Sequence, residues 1–215
     1  MTAAMTYTSL QEDLQTYLER GNAVSDASVF EQFPRLINLA EREIVNTADL
    51  LGFVQVVTSS LTAGTSVYEK PDRWRRTISF NFGVGTGQTR TELYPRVYEY
   101  LRQFWPDEEE TAQPQFYADY NYQNWLVAPT PDQDYPFEVL YYEQPAYLGE
   151  DNETNWLTDY APNLLLYGTL LQCEPFLKDD ERIATWKDFY VRELQLLQEQ
   201  EQRRMIDRTA VRTAV

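Results

Sequence analysis

A glycine-rich segment is the first feature of the chain that could do chemistry, because such segments can hold phosphate groups. Gly83-Val84-Gly85-Thr86-Gly87 follows a strand-like stretch, Ile78 to Phe82. Phosphate-binding loops of nucleotide hydrolases also follow a strand, but they open a helix and carry a lysine followed by serine or threonine. Here the next residues, Gln88 to Leu93, are strand-like and contain no lysine. The pattern therefore favours the tip of a β-hairpin over a phosphate site.

Carboxylates are the second possible source of chemistry, since the chain contains 34 Asp and Glu residues. A pair of them could cleave a glycosidic bond while tyrosine or tryptophan rings stack on the sugar. Glu150-Asp151-Asn152-Glu153 and Asp132-Gln133-Asp134 could bind calcium, but both lack the spacing of a calcium loop with its distant bidentate glutamate. We interpret both segments as solvated turns and predict no metal and no cofactor.

The residue types that the chain lacks narrow the function further. There is no histidine, so the usual proton shuttle near neutral pH and the commonest metal ligand are missing. Cys173 is the single cysteine, which excludes an internal disulfide and is most simply a small core residue. The formal net charge of -16 disfavours tight binding to phosphate backbones, which depends on clustered Lys and Arg. Without histidine, most familiar hydrolase and zinc-site designs are excluded. Repulsion of nucleic acid is the more natural expectation from the charge, unless the acidic balance merely maintains solubility.

Helices are predicted near the N terminus. Ser9 and Glu12 have the spacing of a capping box, which predicts a helix from about Thr8 to Arg20. A second helix is expected to begin near Pro34. Its apolar face is predicted to consist of Ile37, Ala40, Ile44, Ala48 and Leu51, with Arg35, Glu41, Arg42 and Glu43 largely off that face.

Two more helices are predicted near the C terminus. Asp159 is expected to cap the first, with Pro162 in its first turn, and the leucine-rich stripe that follows should lie at the centre of a helical bundle. Asp179 or Asp180 is expected to cap the last helix. Its predicted apolar seam consists of Ile183, Trp186, Tyr190, Leu194 and Leu197.

Short β-rich pieces separate the two helical ends. A short helix is also expected from Tyr94 to Trp105, with Val97, Leu101 and Phe104 or Trp105 on one side, followed by the acidic run Asp107 to Glu110. The predicted strands are Phe53 to Ser59, Val67-Tyr68, Thr77 to Phe82, Gln88 to Leu93, Gln115 to Tyr120, Gln123 to Ala128 and Phe137 to Glu143.

The fold class expected from these patterns is α+β, a helical bundle from the N- and C-terminal segments with an inserted small antiparallel β region. The length of 215 residues and the 43% apolar content suit one domain or a domain with a lobe. The expected divisions are 1–51 for the N-terminal helices, 52–150 for the β-rich insertion with one short helix, 151–200 for the C-terminal helices and 201–215 for a flexible tail.

Basic and aromatic clusters are the candidate contact residues. Arg73, Arg75 and Arg76 form one basic cluster, and Arg203, Arg204, Arg208 and Arg212 form another in a chain that is acidic elsewhere. Opposed patches of this kind can pair across subunits. The alternative is that the first cluster is a solvent-facing strand edge and the second a soluble terminus. Tyr117, Tyr120 and Tyr122 could meet a partner, or they could pack the faces of a small sheet.

Four ordered blocks of sequence resemble the head-tail adaptor family of short-tailed phages, also called head-tail connector or tail tubular proteins. The resemblance covers most of the chain and depends on the order and spacing of the blocks. These are Phe33-Pro34-Arg35-Leu36-Ile37 with Ala40-Glu41; Leu93-Tyr94-Pro95-Arg96 through Leu101 and Trp105-Pro106; Pro129-Thr130-Pro131-Asp132; and Asn155-Trp156-Leu157 with Pro162, Leu164-Leu165-Leu166-Tyr167-Gly168, Glu174, Lys178-Asp179-Asp180 and Trp186.

The resemblance implies a structural virion protein that catalyses nothing and assembles as a ring, expected to be dodecameric, between the portal and the tail nozzle or next tail protein. DNA would pass through the lumen without specific binding, and an acidic lining would keep it from adhering. The arginine-bearing, weakly structured pattern of the C-terminal segment motivates the prediction that Arg203, Arg204, Arg208 and Arg212 contact the portal. Arg73, Arg75, Arg76, Tyr117, Tyr120 and Tyr122 are predicted to contact a neighbouring subunit or the tail.

Neither a leader nor a membrane span is predicted from the sequence, because Met1 to Met5 carries no basic cluster and leads into no apolar stretch. We therefore expect synthesis in the host cytoplasm and incorporation into the virion at the head-tail interface. Two alternatives are a virion-associated domain that binds or cleaves carbohydrate and a helical interaction protein with a small soluble partner. Affinity for polysaccharide would favour the first of these alternatives.

Overall fold

Helices from both ends of the chain belong to one structural unit, and the strands between them form another. The computed structural model describes residues 5–20, 22–85, 87, 89–176 and 181–205. The first unit consists of Met1–Gly52 and Pro145–Val215, and the second of Phe53–Gln144. The predicted α+β class, with N- and C-terminal helices packed together and a β region inserted between them, is confirmed.

The helices and strands have the following bounds within the described residues. The helices are α1 (Tyr7–Leu18), α2 (Ala27–Phe30), α3 (Phe33–Thr47), α4 (Tyr98–Phe104), α5 (Trp156–Tyr160), α6 (Pro162–Gln172) and α7 (Arg182–Met205), with 3₁₀ turns at Leu51–Phe53 and Glu174–Phe176. The strands are β1 (Val54–Leu61), β2 (Val67–Glu69), β3 (Trp74–Phe82), β4 (Thr91–Pro95), β5 (Thr111–Ala112), β6 (Phe116–Asp119), β7 (Asn124–Ala128), β8 (Thr130–Pro131) and β9 (Tyr135–Glu143).

Helix α1 begins one turn before the predicted capping box. Thr6 is the N-cap: its hydroxyl accepts a hydrogen bond from the Ser9 amide at 3.1 Å, and the Ser9 hydroxyl accepts one from the Thr6 amide at 2.8 Å. The prediction of a Ser9/Glu12 box was wrong because Thr6 and Ser9 have the same spacing and satisfy both amides. The earlier start adds Tyr7, which is buried, to the apolar face.

The cap that begins the C-terminal helices also differs from the prediction. Asn155 caps α5, since its side-chain oxygen accepts hydrogen bonds from the amides of Leu157 at 3.0 Å and Thr158 at 3.3 Å. The predicted cap, Asp159, lies inside α5, where its amide donates to the Asn155 carbonyl. Pro162 is in the first turn of α6, as predicted. The predicted caps of the last helix, Asp179 and Asp180, lie outside the described residues.

Helix α6 is the centre of the first unit and packs against α1, α3, α5 and α7. It is apolar around most of its circumference, which is typical of a helix surrounded by others. Gly168 allows the closest approach, because an added Cβ would lie 3.2 Å from a ring carbon of Tyr190 on α7 and 3.5 Å from a methyl of Ile44 on α3. The buried residues of α6 are Leu164, Leu165, Leu166, Gly168, Thr169 and Leu170.

The second unit is built on a seven-stranded sheet with the order β1-β9-β3-β4-β6-β7-β2. Neighbouring strands are antiparallel except β4 and β6, which are parallel, so the sheet is larger than the predicted one and mixed. Strands β1 and β2 lie at opposite ends of this order, yet only residues 62–66 connect them. The six residue steps from Leu61 to Val67 span at most about 20 Å. The six gaps between seven strands of a flat sheet would span about 29 Å. The sheet must therefore curl.

Phe80 lies at the centre of the aromatic core inside the curled sheet. Its ring centroid is 5.3 Å from that of Tyr117, 5.4 Å from that of Trp125 and 5.1 Å from that of Phe137. These residues come from four strands, so large rings fill the space that the curl encloses.

The predicted helix from Tyr94 to Trp105 is shorter in the structure. Tyr94 and Pro95 end strand β4, where the Tyr94 amide donates to the Gln115 carbonyl at 3.0 Å. Val97 is the N-cap of α4, so its side chain lies outside the helix and is 65% exposed. Leu101 is buried as predicted.

Candidate functional site

Arg73, Arg75 and Arg76 lie at the start of β3 and pack against β9. The Arg73 guanidinium forms an ion pair with Glu143 at 2.8 Å. The guanidiniums of Arg75 and Arg76 lie 5.3 Å and 4.9 Å from the centre of the Tyr142 ring. The register between β3 and β9 shifts between Trp74 and Arg76, so Arg75 is an extra residue that interrupts the alternation of side chains. This irregularity allows two consecutive arginines to reach the same ring.

The three candidate tyrosines do not form one surface. Tyr117 is 6% exposed and belongs to the aromatic core; burial, followed by the nearby charges of Asp119 and Glu92, raises the pKa of Tyr117 to about 12. Tyr120 is 43% exposed, and Tyr122 is 71% exposed. Only the last two can therefore present their rings to a partner without a rearrangement of the sheet.

The C-terminal arginines that the structure describes lie in the last turn of α7, where positive charge interacts favourably with the helix dipole. Arg203 pairs with Glu199 at 3.3 Å, and Arg204 pairs with Glu201 at 2.8 Å. Glu201 also accepts a hydrogen bond from the Leu51 amide at 2.8 Å, which anchors this end of α7 to the chain that follows α3. The other two candidates, Arg208 and Arg212, lie outside the described residues, as does most of the predicted flexible tail; residues 201–205 are helical.

An exposed aromatic patch around α4 was missed by the sequence reasoning. Two arginines lie over its rings: Arg96 is 5.4 Å from the centroid of Phe116, and Arg102 is 5.4 Å from that of Tyr98. Aromatic residues accompanied by arginine are enriched at protein interfaces. The density of aromatic residues on both sides of Pro95 was the available signal. The exposed members of the patch are Tyr94, Val97, Tyr98, Phe104 and Tyr120.

Glu41 is a fully buried carboxylate in the first unit, although its spacing predicted a position off the apolar face of α3. Its two oxygens accept hydrogen bonds from the Leu148 amide, at 3.1 Å for the shorter, and from the Asn155 side-chain amide at 2.5 Å. Burial raises the pKa of Glu41 to about 7, and the two hydrogen bonds oppose that shift. The carboxylate fixes the segment before α5 to α3. Spacing alone could not reveal this, because the partners are more than a hundred residues away.

The glycine-rich segment joins two antiparallel strands, β3 and β4. Gly83 has φ 72°, and an added Cβ would lie 2.5 Å from the Thr89 carbonyl oxygen, so the turn requires glycine at this position. The next regular element is β4 and not a helix. This arrangement is that of a hairpin connection, as the pattern of residues predicted.

Three of the carboxylates that could have formed calcium sites accept hydrogen bonds from other parts of the fold. Asp132 accepts a hydrogen bond from the Tyr135 hydroxyl at 2.7 Å, and Asp134 accepts one from the Ala63 amide at 2.9 Å. Glu153 accepts hydrogen bonds from the amide and hydroxyl of Thr8. Among the described residues, no group of three or more His, Cys, Asp or Glu side chains could hold a metal ion. Burial raises the pKa of the Cys173 thiol to about 12.

The features that stand out are therefore surfaces for contact. Arginine and exposed aromatic rings recur on the second unit, and charged side chains mark the end of α7. A family model described as the SU10 adaptor protein matches residues 5–214. The chain belongs to the SU10 adaptor protein family. Comparison with curated proteins gave no match.

Membership of the SU10 adaptor protein family makes the chain a phage head-tail adaptor. A structural adaptor acts by binding other virion proteins, which implies a place in the virion and a role that is not enzymatic. No helix among the described residues of this adaptor is both long and apolar enough to cross a membrane. The contact surfaces above are the candidate sites of that binding.

Proposed function

We propose that the chain is one subunit of a ring, a dodecamer, that connects the portal to the tail nozzle or next tail protein. Genome DNA passes through the lumen of this ring without specific binding. The observation that carries the proposal is the family match, which extends over residues 5–214 and so includes both structural units. Subunits made in the host cytoplasm would join the virion at the head-tail interface.

A closed ring repeats one contact between two different faces of the subunit. We propose that the second unit supplies one of these faces, or the contact with the tail, through Arg73, Arg75 and Arg76 together with Tyr120 and Tyr122. The exposed aromatic patch around α4 provides the apolar area that such a contact requires, since bare charge pairs at a surface contribute little.

The acidic balance suits the passage of DNA. Carboxylates repel phosphates, whereas a basic lining would bind them and release their counterions. The run Asp107 to Glu110 is exposed in the described structure, so at least this acidic segment is available to a lumen or an outer surface. The net charge of -16 therefore supports a channel to which DNA does not adhere.

We propose the portal as the partner of the C-terminal arginines, Arg203, Arg204, Arg208 and Arg212. The first two are exposed at the end of α7. The pair between Arg203 and Glu199 is exposed on both sides, and such pairs are worth only about 0.2–1 kcal/mol, so acidic groups on a portal can replace Glu199 at low cost. The Arg204 guanidinium is exposed although its partner Glu201 is buried, so it can accept a further acidic group while it stays paired with Glu201.

Electron microscopy of the purified chain mixed with purified portal tests the proposed function. A ring of twelve copies bound to the outer end of the portal is the expected result. The matched control is the same mixture in which the chain has been unfolded and not refolded, which shows whether attachment requires the native surfaces. A native chain that stays monomeric and leaves the portal bare would refute the proposal.

A further inference from the structure

Strand β1 is an edge strand without the features that normally protect such an edge. It lies at one end of the seven-stranded sheet, where β9 is its neighbour. Its eight residues, Val54–Leu61, include three valines but no charged residue and no proline. Monomeric proteins usually protect a long edge strand with charges, proline or a bulge, because its free amides and carbonyls pair with other chains. This edge is therefore suited to receive another strand.

A groove beside β1 offers space for the side chains of an added strand. Its volume is about 420 Å³. Val57 and Ser59 of β1 form one side and Tyr68 of β2 forms the other, while Trp125 and Phe137 contribute to the lining from the aromatic core. The groove exists because β1 and β2 lie at the two ends of the curled sheet. An added strand would thus find both a pairing edge and an apolar floor.

The C-terminal sequence has the pattern of a strand that fits this groove. Residues 208–215 read Arg-Thr-Ala-Val twice, without glycine or proline. In an extended conformation, Thr209, Val211, Thr213 and Val215 share one face, and arginine and alanine share the other. A face of β-branched residues is favourable for packing in a sheet. The repeat is eight residues long, as is β1.

Charge also favours this occupant. Glu69 and Asp72 line the groove together with Lys70, whose ammonium group already pairs with Asp119 at 2.8 Å. Arg208 and Arg212 are the only charged residues of the repeat, so their longer-range attraction to Glu69 and Asp72 has the right sign for association even from the other face of the strand.

We propose that residues 208–215 of a second copy of the chain add to β1 as an eighth strand, with their Thr and Val face over the groove. The contact joins the C terminus of one copy to the sheet of the next. It is therefore heterologous, and its repetition can close a ring. Only the closure of a ring by this contact rests on the proposed function, and the strand pairing itself does not depend on it. Arg208 and Arg212 lie on the face away from the groove, where they stay accessible to a portal.

A labelled peptide of residues 208–215, titrated with the full-length protein, tests the pairing through fluorescence anisotropy. Saturable binding is expected. The change Val211→Lys in the peptide places a charge on the groove face and should weaken binding by about tenfold or more, since an unpaired charge is costly to bury. The change Ala210→Lys adds the same charge to the other face and should leave the affinity within about threefold.

The protein offers a matched pair of variants on β1. Ser59→Trp fills the groove and should reduce peptide affinity by about tenfold or more, whereas Ser60→Trp, on the opposite face of the strand, should not. Both positions are exposed, and the peptide pair remains decisive if either variant fails to fold. Absence of saturable binding, or equal affinities for the two lysine peptides, would overturn the inference.

Microscopy with portal separates this inference from the proposed function. If Ser59→Trp still forms a portal-bound ring, the donated strand is not the ring contact and this inference fails, while the adaptor function stands. If the peptides behave as expected but the native chain forms no ring on the portal, the strand pairing stands and the proposed function fails.

Discussion

Replacement of Glu41 by glutamine should remove a pH-dependent component from the stability of the helical unit. The carboxylate is fully buried between α3 and the segment that precedes α5, where it accepts hydrogen bonds from the Leu148 amide and the Asn155 side chain. Glutamine has nearly the same shape and retains one carbonyl oxygen as an acceptor. It stays neutral at every pH, so the variant isolates the free energy of ionising a buried carboxyl group.

The magnitude follows from the pKa of Glu41, which burial raises from 4.5 to about 7. The folded state binds this proton more tightly than the unfolded state does. The stabilisation is therefore complete below about pH 4.5 and is lost as the pH rises through about 7. Between about pH 5 and about pH 8 the loss amounts to about 2.5 kcal/mol, at about 1.4 kcal/mol for each pKa unit. For a chain of this size, that corresponds to about 5–10 °C in the melting temperature.

Denaturation of the wild type and Glu41→Gln at a series of pH values checks this expectation. Far-ultraviolet circular dichroism is a suitable signal, because six of the seven described helices lie in the unit that contains Glu41. The wild type should lose stability relative to the variant as the pH rises. Other titrating groups largely cancel in this difference. Glu31→Gln, at an exposed position, is the control and should show little trend. A difference between wild type and Glu41→Gln that is constant with pH would refute the reasoning.

Three other predictions test the packing and the portal contact. Gly64→Ala, with φ 75° and no atom within 4 Å, should lower the free energy of unfolding by about 1–2 kcal/mol through its left-handed backbone alone. Gly83→Ala adds a clash of the new Cβ with the Thr89 carbonyl oxygen at 2.5 Å, so it should cost about 1–3 kcal/mol more than Gly64→Ala, and equal costs would argue against the clash. Gly168→Val should lower the free energy of unfolding by about 1–3 kcal/mol, since α7 must move away from α6 to make room for the side chain. Thermal denaturation measures this loss, and an unchanged melting temperature would contradict this packing. Arg203→Ser combined with Arg204→Ser should weaken portal binding by about tenfold in sedimentation assays, and unchanged binding would exclude these two arginines as contacts.

The sequence was most informative where apolar residues recur over several turns. Of the predicted seam of α7, Trp186, Tyr190 and Leu197 are buried. The other two members, Ile183 and Leu194, are half-buried. The central position of α6 followed from its leucines. The ends of helices were harder, because several polar residues can act as caps. The N-caps are Thr6 and Asn155 and not the predicted Ser9 and Asp159. Contacts with distant parts of the chain favour these helix starts, such as the hydrogen bond that the Tyr7 amide donates to the Glu153 carbonyl.

The contact surfaces could be predicted only in part. Tyr117, Tyr120 and Tyr122 look alike in sequence, but Tyr117 lies in β6 and packs into the aromatic core, whereas Tyr120 and Tyr122 lie in the connection between β6 and β7 and are exposed. The parallel pairing of β4 and β6 depends on residues more than twenty positions apart, and no local pattern indicates it. Glu41 was predicted off the apolar face for the same reason. The Leu148 amide and the Asn155 side chain, which compensate for its burial, belong to a distant segment of the chain.

The acidic charge and the proposed ring impose opposite demands on the subunit. Each copy carries a formal charge of -16, so close approach of like subunits is opposed by electrostatic repulsion, which salt screens over about 8 Å. Arg73 offers limited relief, because its guanidinium already pairs with Glu143 in the same chain. Burial of apolar surface and pairing of backbone groups do not depend on net charge. The exposed rings around α4 and the uncharged edge of β1 are therefore the surfaces best able to join copies in the proposed ring.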